Sequence, residues 1–216
     1  SALKELVTEP EIGIERKNFK AYTVPNFARL LLTTNEEWCV PATADERRWC
    51  VFDIEATKKD SAYYAAFLHE MNNGGPAALL HYLLHVDLSA FNVRDVPQTA
   101  GLADQKLRSL SGVAGWWRDV MASGCLSDLQ DGWPEQIACA VLYRLYCEWE
   151  GRHKGRYPAD SRSFGKTLRT IAPNMEKRRL GDRDTRTNMY IVPPLDQSVC
   201  DFAAWLGVPV EDVAND

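Results

Sequence analysis

Residues 134–206 constrain the fold more tightly than any other stretch of the chain. Apolar residues recur at 137, 138, 141, 142, 145, 146 and 149, the stripe of a helix over 134–150 that begins at Pro134. A basic loop, GRHKGRYPADS, leads to a shorter helix over about 161–171, with Phe164, Leu168 and Ile171 inward. The segment EKRRLGDRDTRTNMYIVPP (176–194) reads as a hairpin, with GDRDTRT at its bend and MYIV as the returning strand. A last helix covers 195–206 and stops at Gly207.

Helix, helix, then a basic β-hairpin is the order of a winged helix-turn-helix. The charge distribution adds to that expectation. Residues 151–190 hold 11 Lys/Arg against 4 Asp/Glu, whereas residues 1–150 hold 14 against 21 and residues 191–216 hold 0 against 5. A chain of net charge −5 thus carries one strongly basic segment, and local charge decides whether a polyanion can dock. The candidate DNA contacts are Arg162, Lys166 and Arg169 on the helix and Lys177, Arg178, Arg179, Arg183 and Arg186 on the hairpin. The acidic Asp182 and Asp184 at the bend can hold Arg183 in local pairs. Some winged helices dock proteins instead, and that alternative stays open.

The first half of the chain is organised differently. Residues 11–25 read as two short strands around a polar tip, where Lys17 and Lys20 flank Phe19. Cations beside an aromatic ring suit a nucleic-acid strand, whose phosphates meet lysines while a base stacks; an ordinary solvated turn has the same composition. A strand over 28–34, a short charged helix over 44–48 and a strand over 49–54 suggest the middle of an α/β sheet. Helices follow over 60–72, from Pro76 onward, and over 99–110 and 113–123. SDLQDGWP (127–134) is turn-rich and a plausible domain boundary.

Several functional classes are disfavoured on composition. No apolar run approaches the roughly 20 residues that span a bilayer, so no membrane partner is expected. Six cysteines without a C-x-x-C pair argue for reduced, mostly buried thiols in a cytosolic protein and against a zinc site. His81 and His85 stand four apart, but Leu83 and Leu84 between them mark a core-facing stripe and no H-E-x-x-H acid is present.

In LLLTTNEEWCVPATADERRW (30–49), Asn35 stands where the strand should stop, and Arg47-Arg48 follow twelve residues later. An asparagine at a strand tip can orient a water or contact a terminal phosphate. An arginine is a planar, permanent charge suited to a transferring phosphoryl group. The same residues also suit a loop asparagine and a surface ion-pair cluster with Asp45 and Glu46.

The run LKELVTEPEIGIERKNFKAYTVPNFARLLLTTNEEWCVPATADERRW resembles the back half of the helicase domain in phage and prophage primase-helicases of superfamily 3, an AAA+-related group that includes the poxvirus primase-helicase. NNGGPAALLHYLLHVDLSAFNVRDVPQTAGLADQK, SFGKTLRTIAP and YIVPPL are similar to the same group. The resemblance implies that Asn35 is the sensor reading the γ-phosphate and that Arg47 or Arg48 is an arginine finger reaching a neighbouring subunit's nucleotide. It places the basic tip of residues 11–25, with Lys17 and Lys20, toward DNA in the channel of a homo-oligomeric, hexameric ring. ATP and magnesium would be the cofactors, single-stranded and duplex DNA the partners, and the cytoplasm of a bacterial host the location. The family's G-x-x-x-x-G-K-[ST] loop and magnesium-binding acid are absent from these 216 residues. The chain is therefore expected to be a C-terminal portion that does not hydrolyse ATP by itself.

The expected fold is mixed α/β: residues 1–97 as the sensor half of an AAA+-like ATPase domain, helices over 98–125, and a winged-helix domain over 126–216. One rival is a stand-alone winged-helix DNA-binding protein without ATPase activity. Another is a module docking a replication protein through its acidic 191–216 tail.

Overall fold

Three aromatic side chains from three helices meet in the largest core of the molecule. Trp116, Tyr146 and Phe164 are each at most 2% exposed, and the Tyr146 and Phe164 rings stack with centroids 5.1 Å apart. The computed structural model describes residues 2–15, 17–54, 57, 59–92, 95–126, 132–153, 157–182 and 186–214. Along the chain run α1 (Ala2–Thr8), β1 (Glu11–Ile14), β2 (Tyr22–Pro25), α2 (Ser61–Asn72), α3 (Gly75–His85), α4 (Ala100–Arg108) and α5 (Gly112–Ser123). Then come β3 (Gln136–Ala138), α6 (Cys139–Arg152), α7 (Ser161–Ile171), β4 (Glu176–Leu180), β5 (Thr187–Ile191), α8 (Leu195–Leu206) and α9 (Val210–Ala214). The fold is mixed α/β, with one two-stranded and one three-stranded antiparallel sheet among the described residues.

The three-stranded sheet has the order β3-β5-β4, with Tyr190 of the central strand paired to Ile137 on one side and Lys177 on the other. Helices α5 to α9 pack with it around Trp117, Leu142, Leu168, Ile171, Phe202 and Leu206, each nearly or wholly closed to solvent. Two tyrosines fix the entry to α7 through one residue: Tyr143 donates to the Ala159 carbonyl at 3.0 Å, and the Ala159 amide donates to the Tyr146 hydroxyl at 3.0 Å. The predicted helix over 134–150 begins later, because Gln136 to Ala138 pair with β5 as a strand. Three residues cannot tell a period of 2 from one of 3.6, and the sheet edge decides between them.

A second, smaller core joins Val40, Ala42, Trp49 and Leu102. Here the segment around 37–51 lies on α4 through one glutamine. The Gln105 side-chain oxygen accepts from the amides of Cys39 (2.8 Å) and Val40 (3.3 Å), and its nitrogen donates to the Glu37 carbonyl (2.7 Å). Ser109 Oγ accepts from the Ala42 amide at 3.1 Å and from the Trp38 indole at 2.9 Å. The buried Lys106 spans the two cores, donating to the Leu206 carbonyl at 3.0 Å. Gly207 closes α8 with φ +68°, and a Cβ there would lie 3.3 Å from Lys106 Nζ. Glycine thus serves both the left-handed cap and the approach of the lysine.

Two expected strands are corrected. Residues 28–34 and 49–54 form no strand, and Leu31, Phe52 and Ile54 are 91%, 69% and 82% exposed. A strand needs a neighbour's ladder, and among the described residues neither stretch pairs with one. The expected helix over 44–48 is a turn, closed by the Glu46 amide on the Thr43 carbonyl at 2.9 Å. Helices α2 and α3 form where their sequences require, yet neither buries a residue among those described. His81 and His85 are accordingly exposed rather than core-facing, and stack on each other with ring centroids 4.2 Å apart. All six cysteines are free, with Cys39, Cys50 and Cys200 exposed and the rest half-buried, so the expectation of mostly buried thiols is also corrected.

Candidate nucleic-acid interface

Helix α7 is positioned by its cap and by its apolar stripe. Asp160 accepts from the amides of Arg162 (2.9 Å) and Ser163 (3.1 Å) and from Ser163 Oγ (2.7 Å). These bonds, the Ser163 pair foremost, hold its carboxyl below the usual range. With Phe164, Leu168 and Ile171 buried, the 3.6-residue period turns Arg162, Lys166 and Arg169 to solvent. All three are exposed as expected, and Arg169 also donates from Nε to the Gly165 carbonyl at 3.2 Å.

Strand β4 divides the other cations by its period of two. Lys177 stands directly across from Tyr190, so it shares the face that the buried Tyr190 turns toward α7; Arg179 shares that face by alternation. Arg178 falls on the opposite face with Glu176, to which its Nε donates at 2.9 Å. The run 177–179 therefore does not act as one patch. Arg186 is exposed just before β5, and Arg183 lies outside the described residues.

A pocket of about 230 Å³ opens between α7 and the sheet, lined by Cys139, Ser161, Arg162, Phe164, Gly165, Arg169, Lys177 and Tyr190. Burial pushes the Tyr190 phenol up, the Cys139 thiol adds to this, and Arg169 opposes it. Burial likewise raises the Cys139 thiol, with Lys177 opposing. Arg169 and Lys177 line the same pocket as these two polar groups. Sequence reasoning named the cations and missed Gly165 and Tyr190. The available signals were a glycine inside a helical stripe and the alternation of MYIV.

The residues implicated by the helicase resemblance lie elsewhere. Strands β1 and β2 form the expected antiparallel hairpin, with Lys17 and Lys20 exposed beyond it and Phe19 74% exposed. Asn35 is exposed in an irregular stretch rather than on a strand tip. Arg47 is exposed, whereas Arg48 is half-buried and its guanidinium donates to Glu46 Oε1 at 3.3 Å. Glu46 is itself buried, and Oε1 also accepts from the backbone amides of Arg47 (3.1 Å) and Arg48 (3.0 Å). The carboxylate thereby fixes the backbone of the doublet and engages one arginine of the two. Asp45 instead accepts from Thr43 Oγ1 at 2.7 Å. The G-x-x-x-x-G-K-[ST] pattern does not occur in these 216 residues. Among the described residues there is no group of three or more His, Cys, Asp or Glu fit to hold a metal ion, and no helix long and apolar enough to cross a membrane.

Residues 1–48 match the model of a family of unknown function, DUF5906. The matched stretch contains the β1–β2 hairpin, Asn35, Arg47 and Arg48, and ends before α2. No curated protein and no solved structure matches the chain.

Proposed function

We propose that this chain binds DNA through α7 and the β4–β5 hairpin, which act as the recognition helix and wing of a winged helix. The observation that carries the reading is the presentation of Arg162, Lys166 and Arg169 on the solvent face of α7, beside Lys177 and Arg179 on the adjoining face of β4. The element order α5-β3-α6-α7-β4-β5 and the sheet order β3-β5-β4 support it, because they put the hairpin beside the exposed helix. Phosphates would be neutralised by these cations, giving affinity that depends on salt more than on sequence.

Fluorescence anisotropy of a short duplex against salt concentration tests this. Each neutralised phosphate contributes about −0.9 to the slope of log K against log salt, so three to five contacts give a slope of roughly −2.7 to −4.5. The R162A/K166A/R169A variant should flatten the slope by up to about 2.7. K177A/R179A should flatten it by up to about 1.8, and R178A by less than either of its neighbours, since Glu176 already holds that guanidinium. Absence of binding at low salt would overturn the reading and favour protein docking.

The wider setting we infer is ATP-driven DNA unwinding by a superfamily 3 ring, in which Asn35 reads one subunit's γ-phosphate and an arginine of the doublet serves the next. Between the two arginines, Arg47 is the better finger, since Glu46 engages the Arg48 side chain. In an ATP-hydrolysing ring, R47A should then cut turnover by roughly 10³–10⁵, the range of an arginine finger supplied in trans, and R48A by less. The 216-residue chain alone should release no phosphate from ATP; steady turnover by it would sink the assignment.

A further inference from the structure

The hollow on the DNA-facing side of α7 exists because residue 165 is glycine. Nothing in the backbone demands a glycine there: its φ is not in the left-handed region, and it stands in the interior of an 11-residue helix. Glycine is a poorer helix former than alanine at such a position. Nor does packing exclude a methyl group, since the nearest neighbour of a Cβ would be the Tyr190 hydroxyl at 3.4 Å. What the missing side chain does is leave that hydroxyl at the floor of an open pocket. Tyr190 is 5% exposed as a residue, and among the described residues its hydroxyl makes no hydrogen bond but opens into the pocket rather than being sealed from solvent.

Three cations from two elements surround the same opening: Arg162 and Arg169, one helical turn on either side of Gly165 and Lys166, and Lys177 across the sheet register from Tyr190. None of the three has an ion-pair partner among the described residues, in contrast to Arg178 with Glu176. A neutral or cationic ligand would leave these charges uncompensated. A tetrahedral oxyanion matches both features, because its oxygens accept from several arginine and lysine donors and from one hydroxyl at once.

We propose that the Gly165 pocket is a phosphoryl-binding subsite, with Arg162, Arg169 and Lys177 as its cations and the Tyr190 hydroxyl as the neutral donor at its floor. The phosphoryl group can belong to a DNA backbone or to a small phosphate ester, and only the first source rests on the DNA-binding function proposed above. Gly165 sets the site by its absence of a side chain, which leaves room for an oxygen to reach Tyr190.

Two measurements on the full chain separate the sources. The first follows backbone amide shifts during titration with inorganic phosphate at ionic strength held constant with chloride. Saturable shifts are expected at Gly165, Arg169 and Lys177. Y190F should weaken the binding several-fold, and G165A, which keeps every charge, should weaken it at least tenfold without lowering the melting temperature. Shifts that never saturate, or a G165A variant that binds phosphate as well as the parent, would overturn the subsite. The second measurement is duplex affinity against salt for G165A. A slope flattened by about 0.9 places one DNA phosphate in the pocket. An unchanged slope alongside lost phosphate binding upholds the subsite and assigns it to a small phosphate ester. Phosphate binding that persists where duplex binding is absent would do the same, with the DNA reading failing on its own.

Discussion

Gln105 ties the segment that leads into the arginine doublet to α4, and its loss should release that segment. Its side chain is 4% exposed and makes three backbone hydrogen bonds to residues 37–40, each at 3.3 Å or less. Alanine at 105 would remove all three while leaving α4 its helix propensity. A net value of about 1 kcal/mol per bond sets an upper figure of about 3 kcal/mol. The Cys39 amide is near solvent and can recover water, so a loss of about 2–3 kcal/mol is expected. The loss should be local. Among the described residues the α5–α9 core shares no hydrogen bond with the Gln105 side chain, so the segment can open while that core stays folded. Native-state hydrogen exchange measures this, residue by residue. At about 1.4 kcal/mol per factor of ten, exchange at Val40 should accelerate about 30- to 140-fold, with amides near Trp49 accelerating too. Those of Leu142 and Phe202 should be unchanged. Q105E should behave between parent and alanine, because it can accept from the two amides but sets a carboxylate oxygen against the Glu37 carbonyl. Unaltered exchange at Val40 in Q105A would refute the idea that this glutamine holds the segment. Uniform acceleration everywhere would refute the claim that the two cores can separate.

Further outcomes follow from the same geometry. Leu168 is fully buried beneath α7, so L168A should destabilise the chain by about 2–5 kcal/mol in urea denaturation and weaken duplex binding only where the protein is partly unfolded. D160A should lower the melting temperature near neutral pH, and D160N should lower it less because asparagine also caps. The Asp160 carboxyl is depressed on folding, so its stabilisation is complete above the ordinary value of 3.8 and fades as pH falls through the lower folded value. Melting curves of parent and D160A should therefore converge in acid; a constant gap between them would mean the cap's ionisation is irrelevant.

What the sequence disclosed is what short-range chemistry determines. Helix α7 is marked by a three-residue apolar stripe within eight positions, and it forms over Ser161–Ile171 as its spacing predicts. The hairpin Glu176–Ile191 and the helix ending at Gly207 are equally local. Residues 28–34 and 49–54 have the apolar composition of strands, but a strand is completed by a partner that periodicity does not name. The stretch between them is fixed by Gln105, 65 or more positions away from the amides it binds. The cations of the interface were readable, since charge on the back of an apolar stripe must face solvent. The pocket was not, because it depends on which face of β5 carries Tyr190 and on how close that face comes to Gly165.

The same limit explains α2 and α3. Tyr63, Phe67 and Leu68 on one helix and Leu79, Leu80 and Leu83 on the next form stripes of the kind that fills a core, yet each is between 51% and 58% exposed. An amphipathic pattern states that an apolar face exists and leaves open what covers it. Trp116 and Trp117 show the other outcome, since α5 carries no cleaner stripe yet closes both rings to at most 2% exposure against α6, α7 and Trp133. The difference lies in the partners. Around α5 the chain supplies an aromatic ring from α6, another from α7 and the sheet behind them, whereas α2 and α3 touch chiefly each other. Burial is a property of the pair of surfaces, so the 134–206 stretch could be placed from its own residues and the 61–85 stretch could not.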